Sequence, residues 1–240
     1  MNIFVTVDDL GMAESVNTGT RILLSEGVID CVSIMATGSE VQDAVELARG
    51  SDAAVSVHLN CVQPPFLLEE DFPDSHFTWF RNGSKLAGKV KAEWRCQIEN
   101  ILSTGLTVTR LDSHQHIHNA RGLREVILDL AEEYGIGAVR AAVLPDKWRS
   151  ASSFILDRLG RKLAKEASER GISTPDLMLG FPESGNVSLK YLESQERYLE
   201  GDGTAELVMH PATEMVWVST QTDELELMRS EWFAQWLKKH

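Results

Sequence analysis

A chain of 240 residues with 43% hydrophobic side chains is long enough to bury one sizeable core, and a single domain over residues 1–240 is expected. The formal net charge of −13 argues against a protein that neutralises phosphate backbones, so nucleic acid is not an expected partner. The three cysteines, Cys31, Cys61 and Cys96, form no C-x-x-C pair; neither a disulfide framework nor a thiolate zinc site is indicated, and a reducing cytoplasm fits.

The first ten residues lack a basic leader, and two aspartates interrupt them before an apolar run could become a signal peptide or a span, so no membrane association is expected. Residues 2–7 are apolar and β-branched and stop at Asp8-Asp9-Leu10-Gly11, as a buried parallel strand followed by a turn would. Asp and Gly favour turns in any case, so the paired acids have a structural reading beside the functional one. Ser15 or Asn17 can open a helix carrying Val16, Ile22 and Leu23, with Gly27 at its end. A second strand over 31–36, a helical stripe of Val41, Ala44, Val45 and Ala48, and a third strand over 53–57 follow, the last ending at His58-Leu59-Asn60. Residues 61–84 read as a long connection carrying Phe66, Phe72, Phe77, Trp79 and Phe80; connections this long are usually lids or binding loops. Its aromatics are equally readable as a satellite of the core, a subunit contact or a substrate platform.

Leu86, Val90, Trp94, Ile98 and Leu102 fall four apart on a helix that leads through Gly105 into a fourth strand, 106–111, and the octapeptide Leu111-Asp112-Ser113-His114-Gln115-His116-Ile117-His118. A helix bearing Leu123, Val126, Ile127 and Leu130 stops at Gly135, and a fifth strand over 138–142 carries Arg140. A guanidinium in a buried strand requires a carboxylate or a ligand oxygen. Then come a long helix over 152–170, a weak strand over 177–181, and a helix capped by Ser188 that bears Leu189, Leu192 and Leu199. A seventh strand over 206–209 ends in His210-Pro211, and a closing helix from Asp223 bears Leu225, Met228, Trp232 and Trp236.

In the octapeptide, Asp112, His114, His116 and His118 recur at every second position, which gathers them on one face only if the backbone is extended. Imidazoles bind metals and titrate near neutrality, so the cluster indicates a metal, a proton relay or both; a functionless His-rich strand is the bland alternative. Seven strands alternating with helices imply a parallel sheet, either closed into a barrel or open and doubly wound. Asp8, Asp9, His58, Asp112, His114, Arg140 and His210 all fall at or near C-terminal strand ends, which converge on one mouth only in a barrel. The expected fold is therefore α/β, an irregular (β/α) barrel with about seven parallel strands. One carboxylate of the Asp8–Asp9 pair, His58 and one His of the cluster would give three N/O ligands with positions left for water, as in catalytic sites. The second aspartate could then take a proton from that water. No G-x-S-x-G elbow, G-x-G-x-x-G or P-loop is present, and Cys61 reads as a small buried thiol before it reads as a nucleophile.

With these residues in view, the sequence resembles the YdjC-like carbohydrate deacetylase family, which includes chitooligosaccharide deacetylases. Thr6-Val7-Asp8-Asp9-Leu10-Gly11 with Val16-Asn17, His58-Leu59-Asn60, the Asp112-Ser113-His114-x-His116-x-His118 run, Val139-Arg140, Pro175-Asp176 and His210-Pro211 are similar, in order, to motifs of that family. Thr6 and Leu10 stand where the family usually has Asn and Phe, and Leu59-Asn60-Cys61-Val62-Gln63-Pro64 departs from its usual L-T-x-G-x-P. These departures bear on the choice of sugar more than on metal chemistry. The resemblance implies a deacetylase or glycoside hydrolase-like barrel and one divalent ion, zinc or magnesium with manganese or cobalt as alternatives, held by Asp9, His58 and His114. It also implies hydrolysis of an acetamide on an amino sugar or oligosaccharide. On that footing Asp8 is the expected general base, His210 the expected general acid with His118 as its understudy, and Arg140 a group that orients Asp8 or contacts the intermediate. Two alternatives stay open: a metal-dependent hydrolase or isomerase of another small molecule, and a sugar-binding or regulatory protein without turnover. A homodimer through the aromatics of residues 61–84 and the helix of Trp232 and Trp236 is a further expectation.

Overall fold

The structure, a computed structural model, describes the chain apart from residues 69, 70, 74 and 147–149. The side chain of Phe77, one of the aromatics noted above, also lies outside the described residues. Seven strands, β1 (Asn2–Leu10), β2 (Cys31–Ile34), β3 (Ala54–Leu59), β4 (Val108–Ser113), β5 (Ala138–Val139), β6 (Leu177–Leu179) and β7 (Thr204–Met209), form one sheet in the order β5-β4-β3-β2-β1-β7-β6. Every pairing is parallel. The sheet curls into a half-barrel. Its two edges are tied by isolated bonds rather than a ladder: the Val139 amide donates to the Ser173 carbonyl and the Ser173 amide to the Gly137 carbonyl, each at 2.9 Å, as one parallel bridge, and the Met178 amide donates to the Val143 carbonyl at 2.8 Å.

Helices α1 (Glu14–Ser25), α2 (Val41–Arg49), α3 (His76–Leu102), α4 (Leu123–Tyr134), α5 (Ala151–Glu169), α6 (Leu189–Gln195), α7 (Gln221–Met228) and α8 (Glu231–Lys239) complete the chain. Parallel strands joined by such crossovers are covered on their outer face, and side chains alternate across the sheet. Val5 and Val7, Val55 and Val57, and Ala205, Leu207 and Met209 belong to the large apolar core. Their neighbours Thr6 and Asp8, Ser56 and His58, and Glu206 belong to the buried polar set, and hydrogen bonds such as Thr6 to Glu206 join these groups across the inner face. A small apolar cluster of Ala142, Leu144, Leu156, Met178 and Val208 stands apart from the main core.

Several local expectations change. Helix α1 begins at Glu14, because Asn17 is used elsewhere: its side chain accepts from the Gly11 amide at 2.8 Å and donates to the Glu40 carbonyl at 3.0 Å. The 61–84 connection is shortened by α3, which starts at His76. Phe66 and Phe72 meet edge to face at 5.0 Å, Phe72 lies 5.8 Å from Trp79, and buried Trp79 donates its indole N–H to the Pro73 carbonyl. Trp79 thus joins the main core with Phe72 packed against it, while Phe80 lines the cavity at the strand ends. The closing helix is two helices, since Ser230 leaves the helical conformation and its hydroxyl accepts from the Phe233 amide as the cap of α8. Trp236 is buried within the chain, so the aromatics behind the dimer expectation pack largely inward.

Helix α5 closes over the irregular chain after β5 with backbone against backbone. A Cβ at Gly160 would lie 2.3 Å from the Ala142 carbonyl oxygen, whereas one at Gly137 meets nothing within 4 Å. Gly160→Ala is expected to lose about 1–3 kcal/mol, the usual cost of overpacking, and Gly137→Ala far less; equal urea midpoints for the two variants would contradict this packing.

Candidate metal centre and active site

Strand alternation alone would place Asp8 and Asp9 on opposite faces. Pairing of β1 with β2 runs Val7 to Val32 and then Leu10 to Ile34, so β1 carries one extra residue there, and Asp9 takes a left-handed φ of 62°. A bulge of this kind re-aims side chains, and both carboxylates reach one cavity. Asp tolerates this conformation better than most residues.

Asp8 is clamped by Arg140, whose Nη1 and Nη2 donate to its two oxygens at 2.7 and 2.8 Å. The same guanidinium donates to Glu206 Oε1 from Nε at 3.0 Å and from Nη2 at 2.9 Å, while Arg110 reaches Glu206 Oε2 at 3.1 Å. Three carboxylates around Arg140, those of Asp112, Asp8 and Glu206, overcome the effect of burial and raise its pKa well above the ordinary value. Asp112, the ladder partner of His58, accepts from the hydroxyls of Ser33 and Ser56 and pairs with His58 Nδ1. Burial raises the Asp112 carboxyl, but Arg140 and His58 outweigh it and hold the group below the usual carboxylate range. A carboxylate on one ring nitrogen fixes the tautomer of the other, so His58 presents Nε2.

That nitrogen lies 3.2 Å from Asp9 Oδ1 and 3.3 Å from His114 Nδ1, and His114 Nδ1 is 3.0 Å from the same Asp9 oxygen. The three atoms form a near-equilateral triangle, close to the separation of about 3.3 Å expected between ligands about 2.0 Å from a tetrahedral ion. Neither oxygen of Asp9 makes a hydrogen bond, although both are buried. Burial raises the Asp9 carboxyl, yet the charges of His114 and His58 hold it well below its ordinary pKa. The charge balance points the same way. Asp8, Asp9, Asp112 and Glu206 bring four buried carboxylates, against the guanidinium groups of Arg110 and Arg140. Against burial, which lowers it, the carboxylates of Asp8 and Asp112 push His58 up to about 10. A divalent cation fits both the donor set and the missing positive charge. Asp8, His58 and Asp112 form a second triad within reach of an ion, but its carboxylates are already occupied by Arg140, Ser33 and Ser56.

The expected extended run of the His cluster is not formed. Strand β4 ends at Ser113, and His114–Asn119 is a tight 3₁₀ segment in which Gln115 and His116 have φ of 55° and 56°. Two successive left-handed residues turn the chain, so the histidines diverge. His114 and His116 line the cavity. Fully buried His118 does not: its Nε2 lies 2.7 Å from the Arg140 carbonyl and its Nδ1 2.6 Å from the Ser113 hydroxyl, and burial lowers its pKa to about 4. His118 braces the backbone that carries Arg140.

His210 ends β7, with Nε2 4.0 Å from Asp8 Oδ2. Its amide donates to buried Glu224 at 2.6 Å, and its ring meets Trp217 at 5.4 Å. Burial lowers its pKa although Asp9 and Asp8 oppose this. Cys61 is fully buried, which raises its thiol well above the ordinary pKa, so it offers no thiolate nucleophile. The cavity of about 540 Å³ lies at the strand ends, with Asp8, Asp9, His58, His114 and His210 among its lining and Phe80 and Phe181 among its apolar walls. Sequence reasoning missed Ser33, Ser56, Arg110 and Glu206; the alternation Thr6-Asp8, Ser56-His58 and Arg110-Asp112 was the available signal.

The chain matches the model of the YdjC-like protein family over residues 2–239. It is 30% identical over 218 residues to a carbohydrate deacetylase of Oceanobacillus iheyensis, covering 83% of this chain and 95% of that protein. A carbohydrate deacetylase of Geobacillus stearothermophilus is 31% identical over 224 residues, covering 87% and 78%. Among solved structures, a protein of Enterococcus faecalis V583 whose description assigns it to cellobiose-phosphate cleavage superposes with a TM-score of 0.76 at 22% identity, over 99% of this chain and 94% of that one. At that identity the likeness speaks for the fold.

The chelated protein is expected to bind one Zn²⁺ or Mn²⁺ per chain in isothermal titration. Asp9→Asn and His114→Ala should each remove tight binding, and Asp112→Asn should weaken it about 10–100-fold through His58; unchanged binding by Asp9→Asn would contradict the assignment.

Proposed function

We propose that this chain, which belongs to the YdjC-like protein family, is a metal-dependent hydrolase that removes the acetyl group from an N-acetylated amino sugar or oligosaccharide. The observation carrying this reading is the convergence, in one cavity, of the Asp9–His58–His114 triangle and the Arg140-clamped carboxylate of Asp8. The names of the relatives support the reaction class.

Asp9, His58 and His114 would hold the ion. When bound, a divalent cation supplies Lewis acidity at the acetyl oxygen and brings the pKa of water toward about 7. The remaining work falls to the chain. Asp8 is the general base: fixed from behind by both guanidinium nitrogens, it takes the proton of the water whose oxygen attacks the acetyl carbon. As the C–N bond breaks, the amine nitrogen needs a proton. His210, just past the end of the neighbouring strand β7, passes that proton on; its Nε2 lies 4.0 Å from Asp8, which supports this role. Acetate and a free amine leave, and the net proton count is that of amide hydrolysis. Arg140 acts through Asp8, and His118 acts through the backbone of Arg140. No helix among the described residues is long and apolar enough to cross a membrane.

Acetate release from a panel of acetylated mono- and oligosaccharides, measured after chelation and return of single metals, tests the proposal. Activity is expected only with metal restored, and Asp8→Asn should lower kcat by about 10²–10⁴, the usual contribution of a positioned base. No acetate from any sugar, or an undiminished Asp8→Asn enzyme, would overturn it.

A further inference from the structure

Trp217 has no part in the chemistry proposed above, yet it is held in place by several buried groups. It lies on the loop between β7 and α7, stays 44% exposed, and lines the cavity that holds Asp8, Asp9 and His210. The amides of Val216, Trp217 and Val218 all donate to one atom, Oε1 of buried Gln221, at 3.0, 3.1 and 3.4 Å. Gln221 in turn donates from Nε2 to the His210 carbonyl at 3.3 Å, and the Thr220 hydroxyl donates to the Gly185 carbonyl at 2.6 Å. The far edge of the indole rests on Gly185: a Cβ there would lie 2.4 Å from Cη2 and 2.8 Å from Cζ3. Its ring also meets His210 in a T-shaped contact at 84°. A large aromatic fixed on its edge and backbone, and left open toward a cavity, is a binding surface in waiting.

We infer that Trp217 is the platform on which a pyranose ring of the substrate lies, its C–H face on the indole, so that the sugar ring and not only the acetamide is recognised. This rests on the carbohydrate reading above and adds a residue and a ligand geometry to it. Pyranoses combine an apolar C–H face with hydroxyls at the ring edge. The cavity offers both kinds of surface: Ile155 and Phe181 line it with Trp217, and its polar groups Asp8, Asp9 and His210 are buried where Trp217 is 44% exposed. Recognition of this kind works in the ground state and the transition state alike, so its loss falls on KM and Kd.

The test uses the full chain and two probes, N-acetylglucosamine and its β-1,4-linked disaccharide. Binding to the metal-stripped protein is followed by saturation-transfer NMR, and acetate release by the metal-restored protein gives KM and kcat. Wild type should transfer saturation chiefly to ring C–H protons of the disaccharide. Trp217→Ala should raise Kd and KM about 10- to 100-fold, as removal of a buried aromatic surface would, with kcat within about threefold. Trp217→Phe should fall between the two. An unchanged Kd and KM in Trp217→Ala, a loss confined to kcat, or no sugar binding by wild type would each overturn the platform. Trp217-dependent sugar binding without acetate release would uphold the platform while overturning the deacetylase reading. Acetate release indifferent to Trp217 would do the reverse.

Discussion

The structure depends on how buried carboxylates are compensated inside the half-barrel. Asp8, Asp112 and Glu206 surround Arg140, a guanidinium with no solvent exposure, and Asp9 stands beside them without a hydrogen bond. An uncompensated charge in such a place costs several kcal/mol, and Asp9 faces only the imidazoles of His58 and His114, so the inner face is viable only with positive charge set against its carboxylates. Arg110 and Arg140 supply part of it. A proton on His58 supplies some of the rest, since the surrounding carboxylates hold that imidazole protonated far above neutrality. The proposed dication would replace that proton and bring the balance closer to neutral. Binding and electrostatic relief are then the same event, and this explains why the inner face can carry so many acids without a matching set of lysines.

Geometry follows from two local departures from regular structure. Without the bulge at Asp9, alternation would send that side chain into the outer core, against Val5 and Val7. Without the left-handed pair Gln115–His116, β4 would continue and carry His116 and His118 along one face of the sheet. Each such residue costs on the order of 1–3 kcal/mol, and strain of this size tends to persist where function requires it. Hydrogen bonds hold the second departure in place: the Ser113 hydroxyl accepts from the His118 amide at 3.1 Å, and Asn119 donates to the His116 carbonyl at 3.1 Å.

Much of this was legible in the residues. The strand runs were clear because parallel strands buried on both faces are rich in Val, Ile and Leu, and the polar groups at their C-terminal ends were clear because they interrupt those runs. The helix stop at Gly135 also follows its sequence signal, with a φ of 66°. The His cluster was misread as extended because a spacing of two is the period of a strand, and nothing local announces a left-handed turn at Gln115 and His116. Ser33, Ser56 and Glu206 were hidden inside apolar runs, where single polar residues look incidental until the curl of the sheet brings them against Asp112 and Arg140. Trp217 was invisible for a different reason. Its backbone is held locally by Gln221, but the Gly185 and His210 that fix its ring are brought to it only by tertiary structure.

The account turns on one cation seated against Asp9, His58 and His114. A crystal structure of the manganese- or zinc-loaded protein, with anomalous scattering recorded at the metal edge, tests this most directly. The account predicts one strong anomalous peak per chain, about 2.0–2.2 Å from Asp9 Oδ1, His58 Nε2 and His114 Nδ1, with Asp8 still bound by Arg140. A peak held instead by Asp8 and Asp112, or no peak in the cavity of a loaded and active protein, would contradict it.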